Sequence, residues 1–235
     1  MAKQLDNEYP FNESLTPDQI RKALSGDFDG FKYFFENCMV LQDRDTRQFV
    51  HPVMNKGQEM IARTILSYVD KETRATSHKE CIILGPRQFG KSTLLTSIAS
   101  YIEAYVNGME NLNIVHTMHQ ATAAAKFFKQ KMAPIITSVN PAIFPTIMRD
   151  TLGTSTLLQY KDVKGIRRGG YYEITSAGSN SVRSGTVSVW LCDEPSEYRN
   201  PEAVEDSVSG AISSYGWSFT AYIGTFSDRL TTYFQ

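Results

Sequence analysis

Long hydrophobic runs are missing from this 235-residue chain, and its first residues, MAKQLDNEYP, contain no apolar signal core. Neither membrane insertion nor secretion is therefore expected. No sign of charge dominates either: 24 Lys plus Arg stand against 25 Asp plus Glu, a net −1. No global field exists to draw in nucleic acid or an anionic membrane, so any polyanion site must be local. Cysteine is scarce. Cys38, Cys81 and Cys192 are odd in number and lack metal-ligand spacing, which argues against a disulfide framework or a zinc site. They read as buried thiols in a reducing compartment, two of them inside apolar runs that look like central strands. The histidines His51, His78, His116 and His119 have no partners at metal spacing, and His116 reads as structural or as a group standing behind a site. Internal repeats and low-complexity tracts are absent as well. What is plentiful is aromatic bulk: 13 Phe, 12 Tyr and 2 Trp fill a core without the help of disulfides or a structural metal. The expectation is a soluble cytosolic protein.

Two kinds of pattern divide the chain. Residues 1–70 form a helical approach: Thr16-Pro17-Asp18-Gln19 is a helix start, with a Thr cap, Pro at the first helical position and Gln at the third. Phe31, Phe34, Phe35 and Cys38 then repeat at helical spacing, as do Met60, Ile61, Ile65 and Leu66. Residues 71–235 form the main body, in which short apolar strands alternate with helices, the signature of an α/β fold with a mostly parallel central sheet flanked by helices. Strands are expected at 81–84, 113–117, 156–160, 171–175, 186–192 and 217–223, and helices at 91–106, 120–132 and 201–213, with Pro134 closing the second helix.

Gly85-Pro86-Arg87-Gln88-Phe89-Gly90-Lys91-Ser92 fits G-x-x-x-x-G-K-[ST], the Walker A phosphate loop, between an expected strand and an expected helix. Gly90 lets the backbone curl so that successive N–H groups point at phosphate oxygens, and the helix from Lys91 adds its positive end. Lys91 would bridge the β- and γ-phosphates, Ser92 would ligate Mg²⁺, and Thr93 completes the cradle. Arg87 lies inside the loop, where it either stabilises charge on the γ-phosphoryl as a finger in cis or holds the loop by a salt bridge.

Val187-Ser188-Val189-Trp190-Leu191-Cys192-Asp193-Glu194 is an apolar strand ending in two acids, as in a Walker B segment. In a parallel sheet that places both carboxylates at the edge where ligands bind. Asp193 would hold Mg²⁺, and Glu194 would deprotonate the water attacking ATP, which separates a hydrolase from a kinase.

Taken in order, these segments resemble the ATPase domain of the large terminase subunit of tailed bacteriophages, a DNA-packaging motor. His51-Pro52-Val53-Met54-Asn55-Lys56-Gly57-Gln58 is similar to that family's adenine-recognition segment, which implies Gln58 on the base edge. Ile114-Val115-His116-Thr117 matches its second strand. Ser181-Val182-Arg183-Ser184-Gly185 resembles its Arg-Gly turn, which implies Arg183 as a finger reaching a neighbouring subunit. Tyr222-Ile223-Gly224-Thr225-Phe226-Ser227-Asp228 looks like the coupling motif, which implies Thr225 as the sensor of the γ-phosphate. The chain departs from the family in having Phe226 where Pro is usual and Ser184 between Arg183 and Gly185.

The resemblance implies a catalytic set of Glu194, Arg87, Lys91 and Arg183, ATP and Mg²⁺ as cofactors, double-stranded DNA as the load, a homo-oligomeric ring on a portal, a small terminase subunit as partner, and the host cytoplasm as the place of assembly. The family's C-terminal nuclease domain, with its carboxylate cluster, has no counterpart before Gln235, so ATP hydrolysis without DNA cleavage is expected. Lys161, Lys164, Arg167 and Arg168 form the dense basic segment, suited to DNA phosphates, to an acidic neighbour subunit or simply to solvent. Lys126, Lys129 and Lys131 share a helix. Competing readings are a helicase-like DNA translocase, and an ATP-binding assembly module without motor activity.

Overall fold

A computed structural model describes residues 14–43, 46, 48–67, 79–106, 113–140, 142–143, 147–149, 157–161, 167–177, 186–212 and 218–225. Three helices lead into the sheet. The first, α1 (Pro17–Ala23), starts on the expected capping box, with Thr16 accepting from the Gln19 N–H and the Gln19 side chain accepting from the Thr16 N–H. Asp27 caps α2 (Phe28–Asn37), and Asn55 caps α3 (Lys56–Leu66) through a second box closed by Gln58. Between α2 and α3 lies a two-residue antiparallel pair, β1 (Leu41–Gln42) with β2 (Phe49–Val50).

The aromatic stripe of α2 faces the helix after the phosphate loop, α4 (Lys91–Val106). Phe31 and Phe34 each lie 5.3 Å from the ring centre of Tyr101, and all three are fully buried. The Tyr101 hydroxyl accepts from the Gly26 N–H at 2.8 Å, which satisfies the one polar atom of that cluster near its edge. Helices α2, α3 and α4 thus share one apolar core with the sheet, and residues before 70 contribute to the same cluster as those after it.

Seven described strands form the main sheet, in the order β3-β9-β8-β4-β7-β6-β5. These are β3 (Lys79–Gly85), β4 (Asn113–Met118), β5 (Ile147–Arg149), β6 (Leu157–Lys161), β7 (Arg167–Ser176), β8 (Val189–Asp193) and β9 (Phe219–Thr225). From β3 to β7 neighbouring strands run parallel; β6 and β5 are added antiparallel. The central strands β9, β8 and β4 are buried on both faces, as parallel strands usually are, whereas Ile82 and Leu84 of β3 stay exposed. Along β8 the side chains alternate: Val189 and Leu191 join the core under α4, while Trp190 and Cys192 join a second cluster with Tyr198, Val204 and Val208 on the opposite face. Those last two belong to α7 (Pro201–Ser209).

Three expectations change. Cys81 sits on a strand paired on one side only among the described residues, so it is half-buried, whereas Cys192 is fully enclosed on central β8. Pro134 does not end its helix: α5 (Ala121–Phe127) widens into a π turn (Phe128–Met132) and continues as α6 (Ala133–Thr137). Proline has no N–H to donate to the preceding turn, and it is tolerated here at the start of α6, directly after the widened turn. The three-residue β5 carries too little pattern to have been expected from its sequence.

The buried hydroxyls of α4 are satisfied within the helix. Thr96, Ser97 and Ser100 donate back to the carbonyls of Ser92, Thr93 and Thr96 at 2.8, 2.9 and 2.8 Å. Among the described residues no helix is long and apolar enough to cross a membrane.

Candidate active site

The site lies where the C-terminal ends of β3, β9 and β8 meet the N-terminus of α4. Strand β9 inserts between the phosphate-loop strand and the acid strand, with Gly85 in register with Thr225 and Asp193 with Ile223. That insertion brings a third chain segment between loop and acids.

Between β3 and α4 the loop bends through two residues with left-handed backbone, Gln88 (φ 65°) and Gly90 (φ 80°). The left-handed backbone favours glycine at 90, and a Cβ there would lie 3.0 Å from the Gln58 side-chain nitrogen, which would have to shift slightly. Lys91 is 7% exposed and turns back over the loop, donating to the Gly85 carbonyl at 2.7 Å and the Pro86 carbonyl at 3.1 Å. Its ammonium also approaches the Thr225 hydroxyl at 3.4 Å. Burial pulls the Lys91 pKa below the ordinary lysine value, opposed by the charges of Glu194 and Asp193.

Gln58 ties the preceding helix to this loop. Its carbonyl oxygen accepts from the Asn55 N–H at 3.1 Å, and its amide donates to the Phe89 carbonyl at 3.2 Å. The Phe89 ring packs so closely on α3 that any side chain at Gly57 would strike it. One amide hydrogen and one carbonyl lone pair of Gln58 remain available, the pair of groups that reads an adenine edge.

Across from Lys91, Asp193 closes β8 and is 7% exposed. Its Oδ2 accepts from the Ser92 hydroxyl at 3.0 Å. A serine proton given to Asp193 leaves the oxygen lone pairs of Ser92 for a cation. Hydroxyl and carboxylate oxygens suit Mg²⁺, which takes one or two protein donors and completes its shell with phosphate and water. Among the described residues no cluster of three or more His, Cys, Asp or Glu would cage a metal unaided. The Ser92 hydroxyl and the Asp193 carboxylate fit the two protein donors that Mg²⁺ takes beside phosphate and water.

Glu194 adopts a left-handed backbone (φ 51°, ψ 56°), uncommon for a non-glycine residue and concentrated at functional sites. Its N–H donates to the Ile223 carbonyl at 2.7 Å. Its carboxylate takes two bonds from one residue, the Thr225 N–H at 3.0 Å and the Thr225 hydroxyl. Thr225 thus stands between the loop lysine and the acid, accepting from one and donating to the other.

Behind Asp193 lies a group whose link to the site the sequence did not disclose. His116 on β4 is fully buried, with Nε2 3.8 Å from Asp193 Oδ2. Strand β4 pairs with β8, but nothing in the local pattern of 113–118 announces that its fourth residue faces an acid 77 positions later.

Other expected residues fall elsewhere. Arg87 is exposed and makes no ion pair among the described residues, so the salt-bridge reading finds no partner there. Arg183, Lys164, His78 and Phe226 lie outside the described residues. Arg167 and Arg168 begin β7, and Arg167 pairs with Lys161 of β6. Because Asn113 at the start of β4 is level with Tyr171, they extend beyond the edge of the sheet opposite the phosphate loop. Lys126, Lys129 and Lys131 are exposed. His51 bonds the Met39 carbonyl through Nδ1 at 2.9 Å.

No family model and no curated protein sequence matches the chain. Solved structures do. The large terminase of bacteriophage HK97 superposes with a TM-score of 0.61 at 16% identity, over 84% of this chain and 37% of that one. The large terminase of the thermophilic bacteriophage D6E gives 0.51 at 13% identity, over 74% and 39%. The large-terminase ATPase domain of Thermus phage P74-26 gives 0.50 at 15% identity, over 77% and 67%. The chain spans less than two fifths of the length of the first two. At these identities the likeness is one of architecture: this chain has the P-loop fold of the ATPase domain of phage large terminases.

Proposed function

We propose that the chain is the ATP-hydrolysing motor domain of a phage terminase large subunit, one that drives double-stranded DNA into a procapsid. The observation that carries this reading is the continuous contact from Lys91 through Thr225 to Glu194, beside the Ser92–Asp193 pair. A nucleotide holder needs the loop alone; a carboxylate set beside the phosphate lysine is placed to act as base on a water that attacks the γ-phosphate.

In this reading, the loop N–H groups of 85–93 and the Lys91 ammonium bind the phosphates and Gln58 reads the base. Mg²⁺, held by Ser92 and Asp193, supplies charge neutralisation on the phosphate oxygens. Phosphate oxygens replace the loop carbonyls as partners of Lys91, and Thr225 turns its hydroxyl to the γ-phosphate, which frees the Glu194 carboxylate. Glu194 then takes a proton from water as the water oxygen bonds to the γ-phosphorus. The bond to the bridging oxygen breaks, its electron pair leaving with ADP, and Arg87 offsets charge on the transferred group. Thr225, back on Glu194 after phosphate departs, reports the event along β9.

Arg183 is assigned to a neighbour's site in a ring seated on a portal, with the small subunit and DNA as further partners and the host cytoplasm as the setting. The test is Mg²⁺-dependent phosphate release by the purified chain, with and without DNA. Slow release that Glu194→Ala abolishes supports the reading; release unchanged by Glu194→Ala, or function intact in Lys91→Ala, overturns it in favour of an assembly module.

A further inference from the structure

We propose that His116 is a positioning residue that fixes the carboxylate of Asp193 through its Nε2–H, and so sets how tightly the site holds its divalent cation. This rests on the ATPase reading of the site. Among the described residues Asp193 Oδ2 has one hydrogen bond, from the rotatable hydroxyl of Ser92. The terminal torsion of an aspartate is broad, so a single bond leaves the carboxylate free to swing. The imidazole beside it is rigidly packed. It meets Phe127 edge-on at 4.9 Å and stacks near Tyr172 at 6.5 Å between ring centres. Nε2 is buried and has no hydrogen-bond partner among the described residues, yet lies 3.8 Å from Oδ2. A shift of about 0.8 Å brings the pair into ordinary hydrogen-bond range.

The surrounding groups determine where the imidazole proton sits. The hydroxyl of Thr96 is spent on the Ser92 carbonyl at 2.8 Å, so Thr96 cannot donate to Tyr172. The Tyr172 hydroxyl has one proton and two acceptors within reach, His116 Nδ1 at 3.2 Å and Thr96 Oγ1 at 3.5 Å. Burial pushes the phenol pKa up, so that proton is retained. Given to the nearer acceptor, it fills Nδ1 and leaves the ring proton on Nε2, facing Asp193. Given to Thr96, it would force Nδ1 to donate and set a bare Nε2 lone pair against a carboxylate oxygen, both buried. The first arrangement satisfies every atom of the chain Tyr172, His116, Asp193. Such outer partners of a metal-binding carboxylate shift cation affinity by about 10- to 100-fold.

The test compares ADP binding with excess Mg²⁺ and with EDTA, by calorimetry on the full chain. His116→Phe keeps the ring and removes the donor: affinity with Mg²⁺ falls about tenfold while affinity in EDTA stays within about twofold. His116→Gln, whose amide reaches as far as Nε2, restores most of the loss. Tyr172→Phe, which frees the tautomer without touching Asp193, weakens only the Mg²⁺ arm and by less, and it serves if the Phe variant at 116 misfolds. Equal losses in both arms, no loss in either, or no recovery with Gln overturns the proposal. A wild-type chain whose ADP affinity ignores Mg²⁺ would instead refute the ATPase reading itself.

Discussion

The phosphate loop and the acidic end of β8 face one another across the site, yet they hold their shapes by opposite means. In the loop, Lys91 bonds carbonyls five and six residues behind it, and the Leu94 N–H bonds Gly90 to begin the helix. At the acids, Glu194 bonds Thr225, 31 residues on, and Asp193 bonds Ser92, 101 residues back. The loop takes its turn from one glycine-rich string, with Gln58 of α3 as a tether from outside it. The acids are an assembled object, whose behaviour depends on which strands became neighbours. A motif therefore tells where phosphate will sit more reliably than what a carboxylate will do.

The sharpest way to break the comparison is Glu194→Gln. Hydrolysis should fall about 10²- to 10⁴-fold, the scale of a lost general base, with MgATP affinity nearly unchanged in calorimetry. If binding falls with turnover, Glu194 belongs to the cradle and the division between the two halves is wrong. Lys91→Ala strikes the other half. It should cost about 10²- to 10³-fold in phosphate release and, unlike the change at 194, should weaken nucleotide binding in an equilibrium assay. Thr225→Val removes the hydroxyl that joins the halves but keeps the backbone N–H on Glu194. We expect roughly tenfold slower turnover with nucleotide affinity preserved, read from kcat against KM. A loss equal to that of Glu194→Gln would mean the two residues act as one unit.

The smallest effect concerns the strands beneath. Burial pushes the Cys81 thiol on β3 up to about 11, and Cys192 on β8 is pushed higher still. Alkylation of Cys81 should be slow at pH 7 and rise about tenfold per pH unit while the thiolate remains the minor form. Cys192 should stay unmodified until the protein unfolds, as should Cys38, pushed up to about 12. Mass spectrometry of trypsin fragments after timed alkylation reads all three.

This contrast also explains what could be read in advance. Thr16 and Gln19 form the expected box, and α4 runs from Lys91 to Val106 as its pattern requires, because caps and helical stripes are local physics. The alternation along β8 sorts its residues onto the two faces that a period of two implies. What stayed hidden depends on partners far away in sequence. Nothing in 219–225 says that this strand enters between β3 and β8. Nothing around Pro134 says that a π turn precedes it, and His116 looks like any buried histidine until β4 is placed beside β8. The expected roles of Gln58 and Thr225 came from resemblance to a family; the attachment of both to the loop, and of Thr225 to the acid, came only from geometry.

The insertion of β9 has a mechanical side. The strand is bonded in parallel along both edges, through seven register pairs to β3 and five to β8. Tension applied at Thr225 along the strand therefore loads two ladders in shear, where bonds must yield together, instead of peeling them one at a time. In a force-generating domain, β9 would act as a stiff rod anchored on both sides, with the Thr225 hydroxyl at its tip.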